Sequence, residues 1–170
     1  MNTRQKARAV VARAHGAPVG VEDIWVDPPR QGEVMIKVQA CGVCHSDLSA
    51  AKGVIPLPPP IVLGHEGAGR IVAVGEGVKG LAVGDRVVSS FVSMCGHCRC
   101  CTTGRPQLCD QNAKTTHTLP DGSVRTHDMN NQPLNVFCGN GVMAEYATLH
   151  IDNVVKVEHD LPMECCALIS

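Results

Sequence analysis

Apolar and polar positions alternate over several short stretches of this chain, as half-buried strands require. Residues 7–14 and 19–26 read as two strands joined by a turn at Gly16–Pro18. Residues 33–40 (EVMIKVQA) alternate most regularly, after a turn marked by Pro28, Pro29 and Gly32. A loop or short helix is expected over 41–53. The run LPPPIV that follows at 57–62 cannot lie inside a helix, because each proline lacks an N–H and clashes with the preceding turn. Strands are expected again over 66–75 and 84–90, with a glycine-rich turn between them. From 91 to 141 the periodicity fades. That stretch reads as a long excursion with a minor hairpin at Pro120–Ser123. Strands resume at 142–149 and 153–157, and Leu161–Ser170 looks like the start of a helix with Pro162 in its first turn. Turn signals every ~8–12 residues predict a mainly β chain, a barrel or sandwich with short helices.

Composition sharpens this picture. There are only two Phe, one Trp and one Tyr, so the core must be built from Val, Ile, Leu and Ala. Valine dominates the apolar runs, which favours strands. The formal net charge of −1 gives no electrostatic pull toward nucleic acid or a membrane surface, and neither is expected as a partner. No apolar run approaches the ~20 residues that span a bilayer. The basic N-terminus has a short apolar stretch broken by Arg13 and His15, and reads as a mature start rather than a signal peptide.

Ten cysteines demand an explanation. Cys95, Cys98, Cys100 and Cys101 crowd together too closely for unstrained disulfides among themselves. Reduced thiols used for metal, in a cytoplasmic compartment, are the expectation. Cys95, Cys98, Cys101 and Cys109 have the spacing C-x2-C-x2-C-x7-C, in which short spacers let turns aim successive sulfurs at one point. Four thiolates suit tetrahedral zinc and leave no position open, so the predicted role is structural. Cys100 is the surplus member, although exchange of its role with Cys101 stays open. A nucleic-acid-binding zinc ribbon would show two separated pairs in basic surroundings, and this segment has neither.

A second constellation lies in Cys41-Gly-Val-Cys44-His45-Ser46-Asp47 and Gly64-His65-Glu66-Gly67-Ala68-Gly69. Cys44 and His65 are metal-ligand types, and each has a nearby acid, Asp47 and Glu66, of the kind that orients a ligand's far side. A third motif is deceptive. Gly75–Gly80 matches GxGxxG, but it leads into a turn and strand, whereas a dinucleotide fingerprint must open a helix. It is expected to be a strand-linking turn.

Taken together and in this order, CGVCHSD at 41–47, GHEGAGRIVAVGEGV at 64–78, GDRVV at 84–88 and the four-cysteine segment resemble the zinc-dependent alcohol dehydrogenases of the medium-chain dehydrogenase/reductase superfamily. The resemblance implies a GroES-like barrel over 1–160 with a structural-zinc lobe at 91–112, and a helix at 161–170 leading toward a cofactor-binding domain. It implies Cys44 and His65 as ligands of a catalytic zinc, Ser46 as the hydroxyl that contacts the alcohol and passes on its proton, and His45 as a contact of the NAD pyrophosphate. Asp47 and Glu66 match carboxylates around the metal, Glu66 sometimes acting as a transient ligand, and Phe91 matches a wall of the substrate pocket. The implied reaction interconverts alcohols and aldehydes by hydride transfer to NAD, in a parent that is a homo-oligomer.

Three departures accompany the resemblance. The family's third catalytic-zinc cysteine would follow CCALIS, one residue past Ser170, so the catalytic site of this chain is expected to be incomplete. The Rossmann domain and the returning C-terminal segment have no counterpart, so the isolated chain is expected to be inactive. The outer proton-relay histidine is replaced by Ser49. Two alternatives stand beside the main reading. One is a stand-alone zinc-binding interaction module; the other is a superfamily relative acting on polyols or thiol–formaldehyde adducts. His117, His127 and Cys138 are expected to be loop residues without function.

Overall fold

The computed structural model describes residues 3–158 and 160–169. The strands are β1 (Gln5–Ala12), β2 (Gly20–Val26), β3 (Glu33–Cys41), β4 (Ile61–Val62), β5 (Gly67–Val74), β6 (Arg86–Ser89), β7 (Thr126–Asp128), β8 (Pro133–Val136), β9 (Tyr146–His150) and β10 (Val154–Lys156). The helices are α1 (His45–Lys52), α2 (Arg99–Thr102) and α3 (Met163–Ala167). A closed barrel runs β1-β2-β7-β8-β4, and a five-stranded sheet runs β10-β6-β5-β3-β9. The expectation of a mainly β chain with short helices is met.

Alternation along β1 works as a period-2 pattern should. Ala7, Ala9 and Val11 point into the barrel with Ile24 and Val26 of β2, while Lys6 and Arg8 face outward to Asp23 and Glu145. β3 is more deeply placed than its alternation suggests, because Glu33 through Ile36 are all buried. This strand lies between β5 and β9 and serves two cores. Met35 joins the barrel interior, whereas Val34 and Ile36 pack with Ile71, Val87 and Leu149 in the second core. Each such buried aliphatic side chain contributes on the order of 1.5–3 kcal/mol.

The excursion over 91–141 needs correction. Its last part supplies β7 and β8, which complete the barrel by pairing with β2 and, in parallel, with β4. The Pro120–Ser123 segment is a tight turn closed by Leu119 N–H donating to Ser123 O at 2.9 Å, but the hairpin itself turns later, where Asp128 collects N–H bonds from Asn130 and Gln132. Three-residue strands carry too little periodicity to stand out between turn residues. Residues 142–145, expected in a strand, hold only a bridge between Ala144 and Ala9 before β9 begins at Tyr146. Gly75–Gly80 links β5 to β6, with Gly77 and Gly80 at positive φ and no helix after it. The terminal helix is shorter than expected, with Pro162 as its N-cap, and Ser170 lies outside the described residues.

One buried ion pair, invisible in the sequence pattern, fastens the 121–125 turn to β3. The Arg125 side chain is 1% exposed and grips Glu33 through two bonds, Nε to Oε2 at 2.9 Å and Nη2 to Oε1 at 2.5 Å. Arg125 Nη2 also donates to Asp121 Oδ2 at 2.8 Å. Burial works against the charge of Asp121, but bonds from Ser123 and Arg125 hold its carboxyl well below the usual range.

Removing Arg125 leaves Glu33 charged and buried. Arg125→Leu is therefore expected to cost about 3 kcal/mol in a denaturant titration. Because the carboxyl of Asp121 is depressed in the folded state, its contribution is present above the unfolded value of about 3.9 and fades as pH falls further. The stability gap between wild type and Asp121→Asn is accordingly expected to be constant near neutrality and to shrink below about pH 4; a gap that widened in acid would contradict this assignment.

Candidate metal centres and substrate pocket

The first centre is local in sequence. The sulfurs of Cys95, Cys98, Cys101 and Cys109 lie within 4.8 Å of one another, with Cys98 and Cys109 at 4.0 Å. Sulfurs at the corners of a zinc tetrahedron with 2.3 Å bonds stand about 3.8 Å apart, so the set fits that metal. Gly96 and Gly104, both at positive φ, make the turns that bring the sulfurs inward. Backbone N–H groups already point at them, those of Cys98 at Cys95 Sγ and of Cys101 at Cys98 Sγ. Cys100 is outside the group.

Without metal the four thiols share charge unevenly. Backbone bonds from Asp110 and Cys101 lower Cys98 to about 6. Burial, followed by bonds to its neighbouring sulfurs, raises Cys101 to about 12. Cys109 is lowered, the N–H groups of Cys95 and Gln111 outweighing burial. Metal uptake must therefore displace protons, and affinity falls with pH.

The second centre draws on segments far apart in sequence. Cys44 is the N-cap of α1, and His65 and Glu66 immediately precede β5. Cys44 Sγ, a ring nitrogen of His65 and a carboxylate oxygen of Glu66 lie within 4.8 Å of one another. A mixed sulfur, nitrogen and oxygen set of this kind suits zinc. Buried Asp47 ties the two segments together. Its Oδ2 accepts from Cys44 N–H at 3.0 Å, its Oδ1 accepts from Gly64 N–H at 2.9 Å, and Oδ1 lies 3.5 Å from His65 Nδ1. Gly64 has φ of +92° and lies so close to Met143 that a side chain there would overlap its backbone.

His65 Nε2 thus faces Ser46 Oγ at 3.3 Å and Glu66 Oε1 at 3.9 Å. The ring is held edge-to-face between Phe137 at 5.0 Å and Phe91 at 5.9 Å. Burial opposes its charge, yet the bonds and charges of Asp47 and Cys44 prevail and raise its pKa. Bonds from the Ser46 hydroxyl and N–H lower the pKa of Cys44. Burial, aided by the charges of Asp47 and Glu66, pushes nearby Cys41 up to about 12, which keeps it a thiol.

This centre forms one end of a cavity of about 400 Å³. The other walls are Ile55, Leu57, Phe91, Asn112, Thr115, Thr116, Phe137 and Cys138. Phe91 lines the cavity beside His65. His45 is not in the cavity: it is exposed at the start of α1, with Nδ1 3.4 Å from Ser49 Oγ. Ser49 therefore contacts His45 rather than extending a chain from Ser46.

Sequence reasoning missed several participants. Cys138, expected in a loop, sits within a single 3-10 turn over Phe137–Gly139, where φ of +54° turns it into the cavity wall. Ser89 accepts from Gly67 N–H at 2.8 Å and donates to His65 O at 2.7 Å, bracing the metal-facing segment. A serine at the end of a valine-rich strand was the available signal. His127 belongs to β7 opposite Trp25, and His117 accepts from Val136 N–H through its carbonyl.

The two centres share a wall. Phe91 lies four residues before Cys95, and Asn112, Thr115 and Thr116 lie just after Cys109. Asn112 N–H donates to Cys109 O at 3.0 Å, and Cys138 N–H donates to Thr116 O at 2.9 Å. Closing the four-cysteine loop therefore anchors both feet of the cavity wall. Stripping metal by chelation, or replacing Cys98 by Ser, is expected to speed amide exchange at Asn112, Lys114 and Thr115 as well as within 95–109. Cys100→Ser is expected to leave it unchanged. Acceleration confined to 95–109 in exchange mass spectrometry would show that the wall stands without the metal.

The alcohol dehydrogenase GroES-like domain model matches residues 30–159. An NDMA-dependent alcohol dehydrogenase of Amycolatopsis methanolica is 44% identical over 165 residues, covering 96% of this chain and 44% of its own length. S-(hydroxymethyl)glutathione dehydrogenase of Escherichia coli is 39% identical over 167 residues, covering 96% and 45%. The crystal structure of an alcohol dehydrogenase zinc-binding domain protein from Burkholderia ambifaria superposes with a TM-score of 0.92 at 38% identity, over 98% of this chain and 45% of that one. The chain thus spans a little under half the length of these relatives. Among the described residues no helix is long and apolar enough to cross a membrane.

Proposed function

This chain belongs to the alcohol dehydrogenase GroES-like domain family, and from that premise we propose that it is the N-terminal catalytic portion of a zinc-dependent enzyme interconverting alcohols and aldehydes with NAD. The observation that carries this reading is the convergence of Cys44, His65 and Glu66 at the end of an apolar cavity, with Ser46 beside them. We take 1–160 as the GroES-like portion with its zinc lobe at 91–112, and 161–170 as leading toward a cofactor domain in the parent. The lobe's four cysteines hold a structural zinc.

Cys44, His65 and Glu66 would hold the working zinc, which when bound supplies a Lewis acid for the alcohol oxygen. The chain's own residues do the rest. Asp47 fixes the His65 ring through Nδ1 and keeps Nε2 turned to the metal side. The Ser46 hydroxyl, 3.3 Å from that nitrogen, is placed to take the alcohol proton as it leaves. Phe91, Phe137, Ile55 and Leu57 exclude water and grip the apolar body of the substrate. NAD, when bound, would supply the hydride acceptor, and exposed His45 would be this chain's contact to its pyrophosphate.

A one-zinc interaction module accounts for the lobe but leaves the second cluster without purpose.

The 170-residue chain is expected to bind one metal ion tightly in the four-cysteine lobe and a second more weakly at Cys44, His65 and Glu66, and to oxidise no alcohol with NAD. In the parent, Ser46→Ala is expected to lower kcat on a primary alcohol by about 100-fold. The checks are metal content by elemental analysis and nicotinamide absorbance during turnover. A single metal per chain, or turnover by the isolated chain, would overturn the corresponding part of the proposal.

A further inference from the structure

We infer that Gly42 is a positioning residue for the second metal centre: the space left by its absent side chain holds the Glu66 carboxylate in the orientation that reaches the metal. The inference rests on the reading of Cys44, His65 and Glu66 as one ligand set. A Cβ built on Gly42 would overlap Glu66 Oε2, and would come within 3.1 Å of the Glu66 Cβ and 3.3 Å of its Cδ. Gly42 carries no positive φ, so its backbone conformation does not itself require glycine. What requires it is the neighbouring carboxylate.

The two backbones cannot separate to relieve such an overlap. Gly42 N–H donates to Glu66 O at 2.8 Å, immediately beyond the last register pair of β3 with β5, Cys41 opposite Gly67. The obstructing atom is the far end of a flexible side chain, so the carboxylate is what gives way. Glu66 now stands with Oε1 toward His65 Nε2 and Oε2 over Gly42. Any side chain at 42 evicts Oε2, and the rotation that frees it carries Oε1 off the metal side. Contact with the Glu66 Cβ narrows the alternatives further. Gly42 thus acts through Glu66 and touches neither metal nor substrate.

Cobalt(II) titration of the 170-residue chain, followed by visible absorption, tests this. The four-thiolate lobe and the mixed sulfur, nitrogen and oxygen centre give different spectra, so the lobe reports folding while the second centre reports the effect. Wild type is expected to take up two ions. Gly42→Ala should keep the lobe spectrum and weaken the second site by about tenfold or more, as Glu66→Ala should. Gly42→Ala combined with Glu66→Ala should bind no more weakly than Glu66→Ala alone. Unchanged second-site affinity in Gly42→Ala would overturn the inference, as would a further equal loss in the double variant. If Gly42→Ala loses the lobe spectrum, the double variant decides: regained folding supports overlap with Glu66 as the obstacle, and continued misfolding refutes it. A wild-type chain that takes only one ion overturns the ligand set itself, and the inference falls with it.

Discussion

The Asp47 carboxylate is the joint on which the second centre depends. It sits in the first turn of α1, is almost wholly buried, and bonds outward to Cys44 N–H, Gly64 N–H and the His65 ring. Burying a carboxylate is costly unless its oxygens find donors, and here both do. The same bonds that satisfy it set the distance between the helix carrying Cys44 and the segment carrying His65. Ser89 braces that segment from behind through its bond to the His65 carbonyl. The ligand geometry therefore rests on polar contacts beneath the site rather than on the ligands alone.

The barrel and the second sheet contribute rigidity at the places where this joint is anchored. β3 delivers Cys41 and Gly42 to the edge of the site, and its pairing with β5 delivers Glu66 opposite. Paired on both edges, with β5 and with β9, β3 has little freedom to drift. Arg125 and Glu33 fasten its other end to the turn that precedes β7. The cavity is assembled differently. Its walls come from loops, and the four-cysteine lobe gathers two of them. A chain this poor in aromatics places both of its phenylalanines around one histidine, where bulk is needed most.

Much of this was legible beforehand for stated reasons. Spacing alone gathered the cysteines of 95–109 around one point, because ligands within fifteen residues of one another are constrained by local turns, and the structure decided that Cys101 rather than Cys100 completes the set. Long alternating strands such as β1, β2 and β3 stood out for the same reason: their pattern repeats often enough to exceed chance. β7 and β8 did not, since three or four residues hold barely two periods, and their strand character comes from β2 and β4 beside them. Cys44 and His65 stood out as ligand types with acids close by, and the resemblance supplied their pairing and added Phe91.

The amino-acid sequence by itself determined the β-rich class, the four-cysteine cluster and the family, because each is written in local spacing or in motifs that keep their order. Only the tertiary structure decided that Asp47 spans Cys44 and His65, that His45 faces solvent, that Cys138 turns into the cavity, and that Gly42 leaves room for Glu66. Those relations join residues many positions apart. They arise from which strands pair and which loops meet, and a one-dimensional pattern carries no record of distance across a fold.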